Sequence, residues 1–173
     1  MHSRFILLPV ASLAIVSPAY AVVYLSVEQA QKLMFPDATF TPDFRMLTDQ
    51  QVSAIQKDSA IKVPSRNLQV WRVSSGGWFM VDQVIGKHEF IPFAVGLDAE
   101  GSVKQIEILE YREAYGSQVR NPAWRAQFTG KRHGAALTLQ KDIQNISGAS
   151  LSSRHITDGV KRLLATYAIV LAQ

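Results

Sequence analysis

Cysteine is absent from the 173 residues. Disulfides, thiolate nucleophiles, cysteine-held iron–sulfur clusters and thioether haem attachment are therefore excluded. Histidine is scarce: of the four, His2 sits at the extreme N-terminus, and His88, His133 and His155 form no His-x-x-x-His or Glu-x-x-His pair of the kind that holds a metal. No Gly-x-Ser-x-Gly elbow occurs, so a serine hydrolase has no support. Positive charge lacks concentration. The formal net charge is +4, with only the pairs Lys131-Arg132 and Lys161-Arg162, and no stripe for nucleic acid. Repeats and low-complexity runs are missing too, and no uninterrupted apolar run reaches the ~20 residues that span a bilayer.

With 47% hydrophobic residues, the chain has the apolar content of a globular protein and length enough for one buried core. The first 21 residues read differently. His2 and Arg4 precede an apolar run over 5–16, interrupted by Pro9 and Ser12, and Ala19-Tyr20-Ala21 follows. A basic start, a short apolar run and an Ala-x-Ala end predict a signal peptide cleaved after Ala21, and hence a periplasmic protein. The alternative is an uncleaved helix that anchors the chain in the membrane. Residues 22–173 are then expected to form a single domain.

Within that domain, Ser26-Val27-Glu28-Gln29 reads as a capping box opening a helix over 26–35, with Val27, Ala30, Leu33 and Met34 on its apolar face. A second helix is expected over 48–56. From Leu68 the period changes to two. Runs over 68–73, 78–84, 88–97 and 103–111, separated by short glycine-bearing turns, predict an antiparallel meander. Pro92 predicts a bulge or an edge in the third run. A short helix with proline in its first turn is expected over 122–128, and a brief strand over 137–139. Ile156, Val160, Leu163, Leu164, Tyr167 and Leu171 then mark an amphipathic C-terminal helix. The fold class is α+β: an antiparallel β-meander flanked by an N-terminal helix and a C-terminal amphipathic helix.

Chemistry concentrates in one stretch, Ser147-Gly148-Ala149-Ser150-Leu151-Ser152-Ser153, leading into Arg154. Four hydroxyls and a glycine at a helix start describe a place where free N–H groups and the helix dipole favour an anion such as phosphate. The plainer reading is an N-cap with redundant hydroxyls, worth ~1 kcal/mol. Glu107, Glu110 and Glu113 read more simply as strand and loop charges than as an acid–base set, and Trp71, Trp78 and Trp124 fit core packing as well as ring stacking.

The same stretch resembles the flavinylation signature of the FMN-binding domain family, Asp-x-x-Ser/Thr-Gly-Ala-Thr/Ser. That family includes the C subunit of the sodium-pumping NADH:quinone oxidoreductase and the G subunit of Rnf complexes. Upstream, Glu113-Ala114-Tyr115-Gly116-Ser117-Gln118 and Trp124-Arg125-Ala126-Gln127-Phe128-Thr129-Gly130-Lys131 resemble further segments of it. Two departures stand out: Gln144 occupies the aspartate place, with Asp142 two positions early, and Ser150 replaces threonine. The chain is most similar to small stand-alone exported members.

The resemblance implies a periplasmic electron carrier, more a redox subunit than a stand-alone enzyme. It implies FMN joined to Ser150 by a phosphoester, donated from FAD by a magnesium-dependent flavin transferase. Electrons would pass to or from a membrane-bound or periplasmic redox partner. Ser147, Gly148, Ala149, Leu151, Ser152 and Ser153 would surround the phosphate as caps or contacts, with Arg154 screening its charge better than Lys161. Glu113, Tyr115 and Gly116 would lie against the flavin ring, with Tyr115 or Trp124 stacking on it. The reading from a different class is a non-redox module that binds a phosphorylated ligand or a partner protein at the same helix start.

Overall fold

The computed structural model describes residues 22–172, so the expected signal peptide lies outside the described residues. In chain order the elements are β1 (Val22–Val23), α1 (Val27–Met34), β2 (Phe40–Pro42), β3 (Arg45–Met46), α2 (Asp49–Ser59), β4 (Asn67–Val73), β5 (Trp78–Ile85), β6 (Phe90–Leu97), β7 (Val103–Ile108), β8 (Glu110–Tyr111), α3 (Pro122–Arg125) and α4 (Ser150–Thr166). The architecture is the expected α+β meander between helices.

Both early helices begin as their sequences require. Ser26 Oγ accepts from Gln29 N–H while Gln29 Oε1 accepts from Ser26 N–H, and Thr48 and Gln51 repeat the exchange at α2. Two donors at each helix start are satisfied reciprocally. The second helix runs to Ser59, beyond the expected end at residue 56, and Ala60 stops it in the left-handed region at φ 60°.

The central sheet has the order β2-β4-β5-β6-β7, antiparallel throughout, with β3 also paired to β4. Side chains alternate across it. Phe79 and Ala94 face α1 in a small cluster with Ala30, Met34 and Phe35. Met80, Phe93, Val95 and Ile106 face the other way, into the main core with Ile55, Ile156, Val160 and Leu163. Each such fully buried side chain contributes roughly 1.5–3 kcal/mol. The long helix α4 lies close on this second face. A Cβ on Gly159 would come within 2.8 Å of Phe93 Cζ and Val84 Cγ1, so only glycine lets the backbone approach this far. Two ion pairs are partly buried as well: buried Arg162 with Asp82 at 2.7 Å, and buried Glu107 with Arg125.

Several details differ from expectation. Leu33 is 52% exposed, and Gln31 takes its place on the buried face of α1. No strand covers 137–139; Leu137 has φ 43° and Leu139 forms only an isolated bridge to Ile143. The Thr138 carbonyl instead accepts N–H bonds from Lys141, Asp142 and Ile143, and so closes a turn. The bulge in β6 falls between Gly96 and Leu97, not at Pro92, which pairs with Gln83. Pro92 is tolerated because β7 ends opposite Phe93. The run expected over 103–111 is divided at Leu109 into β7 and β8, and β8 pairs with β1 in a separate two-stranded sheet. The short strands β1, β2 and β3 had no periodic signal, each being two or three residues long.

Candidate functional site

The start of α4 is built differently from the other helix starts. Gly148 has φ +80°, with nothing within 4 Å of the place a Cβ would occupy. Glycine is therefore used here for its left-handed backbone, and the space beside it is open. Ala149 is the N-cap and gives no side-chain cap. The hydroxyls expected to cap the helix lie elsewhere. The first helical bond runs from Ser153 N–H to the Ala149 carbonyl at 2.9 Å, leaving the Ser150, Leu151 and Ser152 amides without intrahelical acceptors. The first turn of α4 also carries no acid, whereas α1 has Glu28 and α2 has Asp49 there. The positive end of α4 thus has no negative group of its own to face.

Its four serines divide by helix phase. Ser147 and Ser150 are exposed, while Ser152 and Ser153 are buried. Ser152 Oγ lies 2.9 Å from the Tyr111 hydroxyl, which donates to the Tyr115 carbonyl at 2.5 Å, so Ser152 is the donor to Tyr111. Burial raises the Tyr111 pKa, against the opposing effect of the Ser152 hydrogen bond. This knot fixes the loop after β8. A Cβ on Gly116, at φ +98°, would collide with the Tyr111 hydroxyl and come within 2.7 Å of Ser152 Oγ. Ser153 Oγ is buried with no hydrogen-bond partner.

Ser150 Oγ faces outward and accepts from Asn145 Nδ2 at 2.7 Å. With Leu139, Gln140, Asn145 and Arg154, Ser150 lines a cavity of about 280 Å³. Arg154 follows Ser150 by one helical turn, on the same face. Lys161 lies instead on another cavity, of about 270 Å³, with Asp58, Arg132 and His133. That cavity contains none of the expected site residues.

The loop that delivers Asn145 and Ser150 is clamped by the upstream segment. Trp124 Nε1 donates to the Gln144 carbonyl at 2.7 Å, and Gln127 Oε1 accepts from Gln144 N–H at 2.7 Å. Phe128 is fully buried and meets the Trp124 ring edge-on, centroids 5.2 Å apart. Trp124 is thus core and clamp, not a stacking surface. Asp142 acts on the loop rather than on Ser150, accepting from Leu137 and Thr138 N–H at 2.9 and 2.6 Å. Burial pushes its pKa up, but the N–H bonds from Thr138 and Leu137 outweigh that and hold it low.

Glu113 also turns out to be committed to backbone. Its Oε1 accepts from His88 and Glu89 N–H at 2.5 and 2.9 Å, pinning the tip of the β5–β6 hairpin. Burial raises its pKa, and the N–H bonds of Glu89, His88 and Lys87 more than reverse the effect. Ile85 and Phe90 flank this tip and lie open to solvent, as do Leu151 in the first turn of α4 and Tyr115, two residues after Glu113 and 86% exposed. A third cavity, of about 240 Å³, runs from Ile85 and Phe90 along α4 past His155, Asp158 and Arg162. His155 Nδ1 contacts the Ile85 carbonyl. Asp158 has its pKa raised by burial, against the pull of the cations around it.

The expected residues thus form two neighbouring patches. Ser150, Ser147, Gly148, Leu151 and Arg154 gather at the helix start, while the loop of Glu113 and Tyr115 is bonded to the hairpin tip through Glu113. Tyr111 and Asn145 were not foreseen. Tyr111 ends the alternating run over 103–111, and Asn145 lies outside the hydroxyl run, so neither carried a distinguishing pattern.

Residues 86–165 match the sequence model of the FMN-binding domain. The chain is also similar to the G subunit of the Na(+)-translocating ferredoxin:NAD(+) oxidoreductase complex of Acetobacterium woodii, with 24% identity over 139 residues, spanning 72% of this chain and 67% of that protein. Among the described residues, no helix is long and apolar enough to cross a membrane.

Proposed function

We propose that the FMN-binding domain at residues 86–165 carries its flavin covalently, through a phosphodiester on Ser150, and serves as an exported electron carrier. The observation that carries this reading is the exposed Ser150 hydroxyl on a cavity at a helix start with no acid in its first turn. In the attachment reaction a flavin transferase brings FAD. Ser150 Oγ bonds to the flavin-side phosphorus, the pyrophosphate P–O bond breaks, and AMP leaves with the bridging oxygen. The hydroxyl proton passes to a base of the transferase.

The residues present fit the product. A diester carries one negative charge, and the free amides of Ser150, Leu151 and Ser152 with the Arg154 guanidinium are placed to balance it. The Asn145 amide, one end of which has no partner, stands beside the same turn and can present an N–H to the diester. Ile85, Phe90, Leu151 and Tyr115 supply an apolar surface next to it for the flavin ring. FMN, when bound, takes up and releases electrons singly or in pairs. The protein's part is to tether, orient and partly cover it. A tether suits a protein outside the cytoplasm, where a dissociated flavin is lost, and the residue pattern over 1–21 points there. The complex named for the Acetobacterium woodii relative acts between ferredoxin and NAD(+). By extension, the partner here is a membrane-bound redox complex.

The test is co-expression with a magnesium-dependent flavin transferase, followed by denaturing electrophoresis and mass spectrometry. The native chain is expected to fluoresce in the gel and to gain the mass of one FMN less one water at Ser150. A colourless chain without that mass overturns the covalent reading and points to a non-redox binding module.

A further inference from the structure

Asn145 has an unusual arrangement of bonds for a residue of a clamped loop. Its backbone is placed by Gln144, whose N–H and carbonyl are both taken by side chains of the α3 segment. Its amide nitrogen donates to Ser150 Oγ at 2.7 Å, while its amide oxygen is buried with no partner. A half-turn of the amide exchanges its two ends. The oxygen would then accept the Ser150 O–H and the nitrogen would be left without a partner. In either orientation one end grips Ser150 and the other is unsatisfied. An asparagine that served only the fold would have both ends paired, as native interiors ordinarily do.

We propose that Asn145 is the positioning residue for the Ser150 hydroxyl, its amide orienting that oxygen before flavin attachment and holding the diester afterwards. This rests on the reading that Ser150 is the acceptor. Before attachment, an amide oxygen accepting the O–H turns an Oγ lone pair outward into the cavity, toward the incoming phosphorus. Attachment forms the Oγ–P bond, breaks the pyrophosphate bond of FAD and releases AMP, with the proton passing to the transferase. The ester oxygen has no proton left to donate. The amide nitrogen then serves a phosphoryl oxygen. An asparagine suits both stages because it holds a donor and an acceptor on one planar group. An aspartate serves only the first, since a carboxylate has no proton to give the diester.

The experiment uses the full chain, FAD and a magnesium-dependent flavin transferase, and compares native protein with Asn145→Ala and Asn145→Asp. Initial rates of FMN incorporation are measured against acceptor concentration, and melting temperatures of the unloaded chains are recorded alongside. Asn145→Ala is expected to lower kcat by about tenfold to a hundredfold, the scale set by a misplaced reacting atom. The KM for the acceptor chain and the melting temperature stay unchanged. Asn145→Asp is expected to load faster than Asn145→Ala, because it still accepts the hydroxyl. Loading of Asn145→Ala at the native rate, or a rate lost only in proportion to unfolding, overturns the role of Asn145 and leaves Ser150 as acceptor. A native chain that takes up no FMN overturns both.

Discussion

Among the described residues, three helices of eight residues or more meet solvent at their N-termini, and they solve the same problem in opposite ways. At α1 and α2 a hydroxyl and a glutamine exchange bonds with backbone, and Glu28 or Asp49 sits in the first turn. Those ends are closed, and they hold a helix against the sheet. At α4 the cap is an alanine, the first turn lacks an acid, and Ser150 points away from the backbone into a cavity. A long helix packed over most of its length can leave its start open, because the core side chains Ile156, Val160 and Leu163 hold it in place. The open end then has donors and a dipole to offer a ligand. Hydroxyl-rich helix starts that look interchangeable in sequence are separated by whether the hydroxyls turn back onto backbone.

That contrast is broken most completely by Ser150→Ala. Attachment of FMN is expected to vanish, with no residual in-gel fluorescence, while the melting temperature of the unloaded chain stays put because the side chain is exposed. Thr48→Ala on the same chain is expected to leave attachment at its native level. Next in size is Gly148→Ala. The position has open space but φ +80°, so the cost is conformational alone, about 1–2 kcal/mol. Urea denaturation of the unloaded chain measures it, and loading should slow as the turn that presents Ser150 is strained.

The meander, the capping boxes and the amphipathic last helix were all readable, since each rests on periodicity or local hydrogen bonding. Short strands were not, because two residues such as Arg45 and Met46 carry no period and are recruited by a neighbouring strand. The candidate site was readable as a motif but not as geometry. Nothing in Ser147 to Ser153 distinguishes a serine on the core face from one on the solvent face until the helix phase is fixed by Ile156 and Val160. Asn145 and Tyr111 act through bonds that cross 5 and 41 positions of chain, and no pattern announces such pairs. Glu113 looked like a ligand group and is instead tied to the amides of a hairpin tip.

A smaller effect tests the closed side of the comparison. Thr48→Ala removes the acceptor for Gln51 N–H and is expected to cost about 1 kcal/mol of stability in thermal or urea unfolding. The equivalent removal at α4, Ser150→Ala, frees no helix N–H, and the bond it loses is the exposed one from Asn145 Nδ2. Equal destabilisation by the two substitutions would show that Ser150 is, after all, a cap.

The smallest effect separates the two kinds of negative charge at a helix start. Glu28 is fully exposed, and its pKa is lowered by its own backbone N–H first and by Ser26 next. A carboxyl with a depressed folded pKa contributes stability that is present above its unfolded pKa and lost as pH falls through the folded one. The difference in melting temperature between native chain and Glu28→Gln should therefore be small at pH 7 and disappear on acidification below about pH 4, where unperturbed glutamate titrates. A phosphodiester at α4 stays ionised through that range. Any gain in melting temperature of the loaded over the unloaded chain should therefore survive acidification through that interval, to the extent that it arises from the phosphate at α4. If the loaded chain's gain fades in step with the Glu28 effect, the gain does not come from a phosphodiester at α4.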